Sequence, residues 1–219
     1  MAQTTQTSPV PTRTAAVQSI ADPAPLGLAA FAGTTFFLSV VNTNMLGASV
    51  QGTVLGLALF YGGLGQLLAG MWEFVKGNTF GALAFTSYGA FWMSFWYLVS
   101  HVVPTYESSQ TPPAALDILH SVGLYLLMWG IFTTYMCVAA SRVSGAVLGV
   151  FVLLALTFIV LAIGWFAEST TEFAANSNGW IHLGGWLGLV TALVAWYASF
   201  AGVTNFAFKR TVVPTFPRE

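Results

Sequence analysis

From Pro23 to Trp72 the chain carries no Asp, Glu, Lys or Arg, and three more such stretches follow: Gly77 to Tyr106, Val143 to Ala167 and Phe173 to Phe208. A helix crosses a bilayer with about 20 mainly apolar residues, and each stretch is long enough for that. A soluble domain carries about 25% charged residues; here they make up 6%, against 56% apolar side chains. With no water to bond its amides, backbone in lipid must satisfy them internally, which favours long helices. The chain reads as an all-α, polytopic membrane protein.

Apolar runs and their breakers give six spans, at about 25–45, 54–75, 79–103, 116–140, 145–167 and 179–208, within a transmembrane domain of 22–208. Residues 1–21 and 209–219 read as short tails, the first disordered and without the apolar core of a signal peptide. Asp22 before Pro23 suits a helix start, Gly77 then Asn78 a stop followed at once by a new cap, and Asn176 or Asn178 a cap on the last span. Thr111 and the two prolines after it fall in the longest connection. Cys137 is the only cysteine, so no intrachain disulfide exists.

With six spans, Arg13, Lys76, Arg142, Lys209, Arg210 and Arg218 all fall on one face, while Glu107, Asp117, Glu168 and Glu172 fall in the opposite loops. The positive-inside rule then puts both termini in the cytoplasm of a cell membrane. His101, His120 and His182 come at the outer span ends. They suit interfacial anchoring, or an outer mouth that changes charge near pH 6.5.

Three spans carry polar groups at helical spacing. Phe31, Thr35, Ser39 and Asn42 share one face of the first, Gly62, Gln66, Gly70 and Glu73 one face of the second, and Ser87, Phe91 and Ser94, with Tyr88 beside them, one face of the third. Such stripes serve either as glue between helices or as the wall of a pathway. Glu73 is the one carboxylate within a span; it suits an i, i+3 pair with Lys76 or a role in proton coupling. No metal-site spacing, phosphate loop or catalytic constellation appears, and no cofactor or nucleic acid is implied. A neutral lining of hydroxyls and rings suits small solutes: water, ammonia, urea, amides or short carboxylic acids. A non-transporting sensor or scaffold is a third reading, which the short tails oppose.

Specific motifs narrow the choice. "ADPAPLGLAAF" begins at Ala21 and "FYGGLGQLLAGMWEFVKGNTFGALAFTSYGAFW" at Phe60; "WGIFTTYM", "LAIG" and "IHLGGWLGL" follow at 129–136, 161–164 and 181–189. From Asp22 to Pro214 the chain resembles the acetate uptake transporter family, which includes bacterial succinate–acetate permeases and fungal acetate and ammonium-export relatives. Asp22 stands where the family signature has Asn.

The resemblance implies a homo-hexamer of six-helix protomers, each passing acetate or another small carboxylate, succinate among them. It implies a constriction at Phe31, Tyr88 and Leu156, with Thr35, Ser39, Asn42, Gln66 and Ala195 along the path. Passage is expected to be proton-linked or channel-like, and the chain is not expected to be an enzyme. Of the consecutive hydroxyls Thr86, Ser87 and Tyr88, only Tyr88 is expected on the path, one or both of the others bonding a neighbouring helix or the preceding turn. A pore for neutral solutes remains the alternative.

Overall fold

The computed structural model describes residues 20–47, 50–107, 112–169 and 178–218. Residues 1–19, with Arg13, and the positions of Thr111, Glu172 and Asn176 lie outside the described residues. Six helical rods follow the six expected spans. They are α1 (Ala24–Asn42), α2 (Gln51–Lys76), α3 (Thr79–Tyr97), α4 (Pro112–Ala140), α5 (Gly145–Phe166) and α6 (Gly179–Phe208). Two rods change pitch. A π-helical segment, Phe60–Gly65, lies within α2, and Leu98–Val102 prolongs α3 before the short helix Val103–Glu107.

The boundaries follow local chemistry. Gly77 adopts a left-handed φ of 80° that ends α2, and Asn78 then caps α3 by accepting from Gly81 N at 3.2 Å. Ser144 accepts from Val147 N at the start of α5, and Asn178 from Ile181 N at the start of α6. Asp22 accepts from Ala24 N at 3.1 Å, so it serves the start of α1 from just outside the helix. α1 stops at Asn42, three residues before its expected end, and Asn44 takes a left-handed φ of 62°.

Five rods are long and apolar enough to cross a membrane; α3 is not among them. Its threonines, serines and glycines lower its hydropathy, yet Phe85, Tyr88, Phe91, Trp92 and Phe95 are all buried in the bundle. In sequence order the rods run in alternating directions. α1 packs along α6, α6 along α5, α5 along α4 and α2 along α3. The starts of α1, α3 and α5 thus share a face with the ends of α2, α4 and α6, where Lys76, Arg142, Lys209 and Arg210 collect. Two pairs of glycines spaced four apart, Gly145 with Gly149 and Gly184 with Gly188, lie against other elements, the second pair buried. Gly184 meets Leu161, Gly188 meets Ser39, Gly149 meets Val194 and Gly145 meets Phe216.

α2 and α3 touch backbone to backbone. A Cβ at Gly89 would stand 2.7 Å from Leu67 N and 2.9 Å from Leu67 Cα, and one at Gly70 would stand 2.5 Å from Thr86 N. Small residues permit that approach, and the dispersion contacts it brings replace the hydrophobic drive that lipid does not supply. Gly89→Leu is therefore expected to cost at least the about 1–3 kcal/mol of ordinary overpacking. Gly52, with nothing within 4 Å of a Cβ, is the control. In detergent size-exclusion chromatography the monodisperse peak should be lost for Gly89→Leu and kept for Gly52→Ala.

Candidate functional site

Two cavities lie end to end among the rods. The first runs from the helix starts, at Ala24, Asn78 and Val143, inward past Gln66 to Tyr88. The second runs from Asn42, Gln51 and Trp165 at the opposite face inward past Thr35, Ser39 and Phe91. Their volumes are about 80 and 60 Å3. One water needs about 10–15 Å3 on this measure, so each can take a molecule of a few heavy atoms.

Phe31 and Leu154 line both cavities and so mark the place where they meet. Phe31 is 4% exposed, Leu154 3% and Tyr88 3%, and the rings of Phe31 and Tyr88 lie 5.9 Å apart between centroids. This is a dry neck near the middle of α1, α3 and α5.

Leu156 does not belong to it. That side chain is 46% exposed, on the outside of α5. Two residues on an α-helix are about 200° apart, so moving from 156 to 154 turns the side chain from lipid to the neck. Ala195 is also displaced from its expected role: it is fully buried in the hydrophobic core and lies outside both cavity walls. The α1 stripe is brought together as expected, since Phe31, Thr35, Ser39 and Asn42 all line the second cavity. The α3 stripe splits. Phe91 lines the second cavity, whereas Ser94 turns to α4 and meets Tyr125 Oη at 2.8 Å.

Tyr88 sits in a cage of rings, with Phe132, Phe151 and Trp129 at 5.4, 6.0 and 6.1 Å. Its hydroxyl is 2.8 Å from Thr133 Oγ1, and Thr133 Oγ1 donates to Trp129 O at 2.7 Å. A threonine hydroxyl has one proton. Thr133 gives it to the carbonyl, so Tyr88 must be the donor in their bond. What the tyrosine oxygen has left for any further partner is lone pairs. Thr133 was not singled out from the sequence, where it is one hydroxyl among several in "WGIFTTYM".

Among the described residues, some of the buried side-chain polar atoms without a hydrogen bond belong to these walls and others, such as Trp129 Nε1, do not. Gln66 Oε1 borders the first cavity, and Thr35 Oγ1 and Trp92 Nε1 the second. Thr86 Oγ1 is also without a hydrogen bond; it is wedged against Gly70 at the α2–α3 contact.

Glu73 is fully buried, and neither carboxylate oxygen has a hydrogen-bond partner. The expected i, i+3 pair with Lys76 is present at 4.0 Å, and Lys76 Nζ also bonds Asp22 Oδ1, more closely, at 2.7 Å. A Cβ on Gly81 would meet Asn78 Nδ2 at 2.7 Å and Glu73 Cδ at 2.8 Å. The carboxyl therefore lies directly behind Asn78 and Gly81, two residues of the first cavity's wall.

The sequence matches the GPR1/FUN34/yaaH family over residues 3–218. It is 42% identical over 209 residues to Accumulation of dyads protein 2 of Saccharomyces cerevisiae, covering 93% of this chain and 68% of that protein. It is 37% identical over 195 residues to the succinate-acetate/proton symporter SatP of Escherichia coli, covering 89% of this chain and 95% of SatP. The chain thus spans about two thirds of the fungal protein and nearly all of the bacterial one. Its fold matches the solved structure of the bacterial acetate channel SatP with a TM-score of 0.75 and 37% identity, over 90% of this chain and 99% of that one.

Thr133→Val keeps the shape of the side chain but strands the tyrosine O–H among rings. It should cost about 1–3 kcal/mol of stability, the range for a buried donor left unpaired. The double change Tyr88→Phe with Thr133→Val should recover most of that loss, measured by thermal unfolding in detergent.

Proposed function

Because this chain belongs to the GPR1/FUN34/yaaH family, we propose that it is a membrane transporter or channel for acetate and other small carboxylates, succinate included. The solute passes the neck at Phe31, Tyr88 and Leu154 in each protomer. Two of the matches described above are named as a symporter and a channel, and the chain is a transport protein, not an enzyme. On this reading it is a multi-pass protein of the cell membrane with both termini cytoplasmic. The separation of all Lys and Arg residues from the acidic loops supports that orientation. The quaternary arrangement inferred is a homo-hexamer.

One contact carries the mechanism: the tyrosine at the neck directs its O–H into a hydrogen bond with Thr133, whose own proton goes to the Trp129 carbonyl. A carboxylate needs donors, and stripping it of water without them is costly. No Lys or Arg lies at that depth to compensate. A protonated acid supplies its own O–H to the lone pairs of the Tyr88 oxygen and crosses without charge. Asn78 and the start of α3 border the first cavity, where their polarity favours the anion before it takes up a proton. Glu73, buried behind the wall of that cavity with Lys76 4.0 Å away, is the proton site in this account.

A second reading, a pore for small neutral solutes such as ammonia, urea or short amides, draws on the same uncharged lining. Labelled-acetate uptake into proteoliposomes near pH 7, with and without an inward proton gradient, separates the two. Uptake stimulated by the gradient and inhibited by unlabelled acetate is expected; acetate that neither enters nor competes would favour the neutral-solute pore. Glu73→Gln should keep acetate binding but lose the stimulation by the gradient.

The neck also makes a prediction about size. Phe31→Ala and Leu154→Ala should admit lactate at the expense of selectivity for acetate, whereas Leu156→Ala should leave the ratio unchanged. In a close-fitting site one methylene is worth about 10-fold or more in discrimination, so competition uptake with the two acids resolves the difference.

A further inference from the structure

After α6 the chain reverses at Lys209, in a left-handed conformation with φ 53°, and residues 211–218 run back to the start of α5. Asn205 pins the root of this segment. Its Oδ1 accepts from Val212 N at 2.7 Å and Val213 N at 2.9 Å, and its Nδ2 donates to Val213 O at 2.8 Å. The Tyr197 hydroxyl donates to Pro214 O.

The far end is bonded to α5 itself. Gly145 N donates to Phe216 O at 2.7 Å, Ala146 N to Thr215 O at 3.2 Å, and Arg218 N to Val143 O at 3.4 Å. Phe216 holds a φ of 55°, a left-handed conformation that a non-glycine residue keeps only where its surroundings impose it. Little apolar burial secures the segment: Phe216 is 61% exposed. Hydrogen bonds hold it, and such elements open most readily.

What this segment grips matters for the neck. Val143, Val147, Val150, Phe151 and Leu154 share one face at the start of α5, and all line the first cavity. Leu154 stands only about 12 Å along a stiff rod from the bonded amide of Ala146. A small turn or slide of α5 moves all five together.

We propose that residues 211–218, pinned by Asn205, form a clip that seats α5 and so sets the width of the neck from the positively charged face. The inference rests on the transport reading, with Asn205 as a positioning residue far from the solute. Asn205→Ala removes three bonds at the root of the clip. Gly145→Val drives a side chain into Phe216, whose Cβ lies 3.0 Å from where a Cβ on residue 145 would stand. Asn205→Asp keeps both acceptor bonds.

The test is acetate and lactate uptake by the purified full-length protein in proteoliposomes. A second readout, independent of transport, is the thiol-labelling rate of Val147→Cys in a Cys137→Ala background. Asn205→Ala and Gly145→Val should both change the acetate-to-lactate ratio and the labelling rate by about twofold or more, as expected for modest coupling through a packed element. Asn205→Asp should stay nearer the parent. Inserted, monodisperse variants with ratio and labelling both unchanged would overturn the clip. A parent protein that moves no acetate would sink the transport reading alone, and the labelling rates would still decide whether the clip seats α5.

Discussion

The hydrogen bond from Tyr88 to Thr133 holds the centre of this molecule. α3 and α4 make little direct backbone contact, so side chains must fill the space between them, and aromatic rings do so. Phe91 reaches Tyr125 and Trp129 at 5.6 and 5.3 Å, and Tyr88 reaches Phe132 and Trp129. Rings in lipid pack adequately against many partners, but a buried hydroxyl has few. That one bond fixes where the tyrosine sits within the cluster. It also determines which half of the hydroxyl's bonding capacity remains for a solute.

The neighbouring wall is built on the opposite principle. α2 and α3 approach through missing side chains, at Gly70 and Gly89. One side of α3 is thus held by contact between main chains and the other by bulky rings. The helix least suited by composition to lipid still buries about half of its residues in protein, and two of its hydroxyls, on Tyr88 and Ser94, find partners on α4. The same economy explains Glu73, which is tolerated near the end of α2 because Asn78 and Gly81 cover it and Lys76 stands nearby, even while that lysine bonds Asp22.

Much of this was legible in the sequence. Charge-free runs marked the spans, and Gly77, Asn78 and Asn178 marked helix ends through stereochemistry that acts within a few residues. The α1 stripe was readable because polar groups in an apolar helix must turn inward. The constriction residue on α5 was not. That helix is apolar on almost every side, so no periodicity separates Leu154 from Leu156. The α3 stripe misled because Ser94 found a partner on α4, a contact that spacing along one helix does not encode. Lys76 meets the carboxylate one turn away as spacing suggests, but its closer bond to Asp22, distant in sequence, was not legible there.

The π-helical segment Phe60–Gly65 has a consequence for how α2 is read. A π-turn accommodates one residue more than the α-helix around it. Everything beyond it is therefore rotated by about 100° relative to an uninterrupted helix. Thr34 Oγ1 approaches Leu57 O at 3.5 Å where the pitch begins to change. The side of α2 that faces lipid before Phe60 is thus not the side that faces lipid after Gly65. Gln66 and Glu73 owe their inward aim to a single surplus residue several positions away, so an alignment gap of one in this segment marks which relatives still share the same interior.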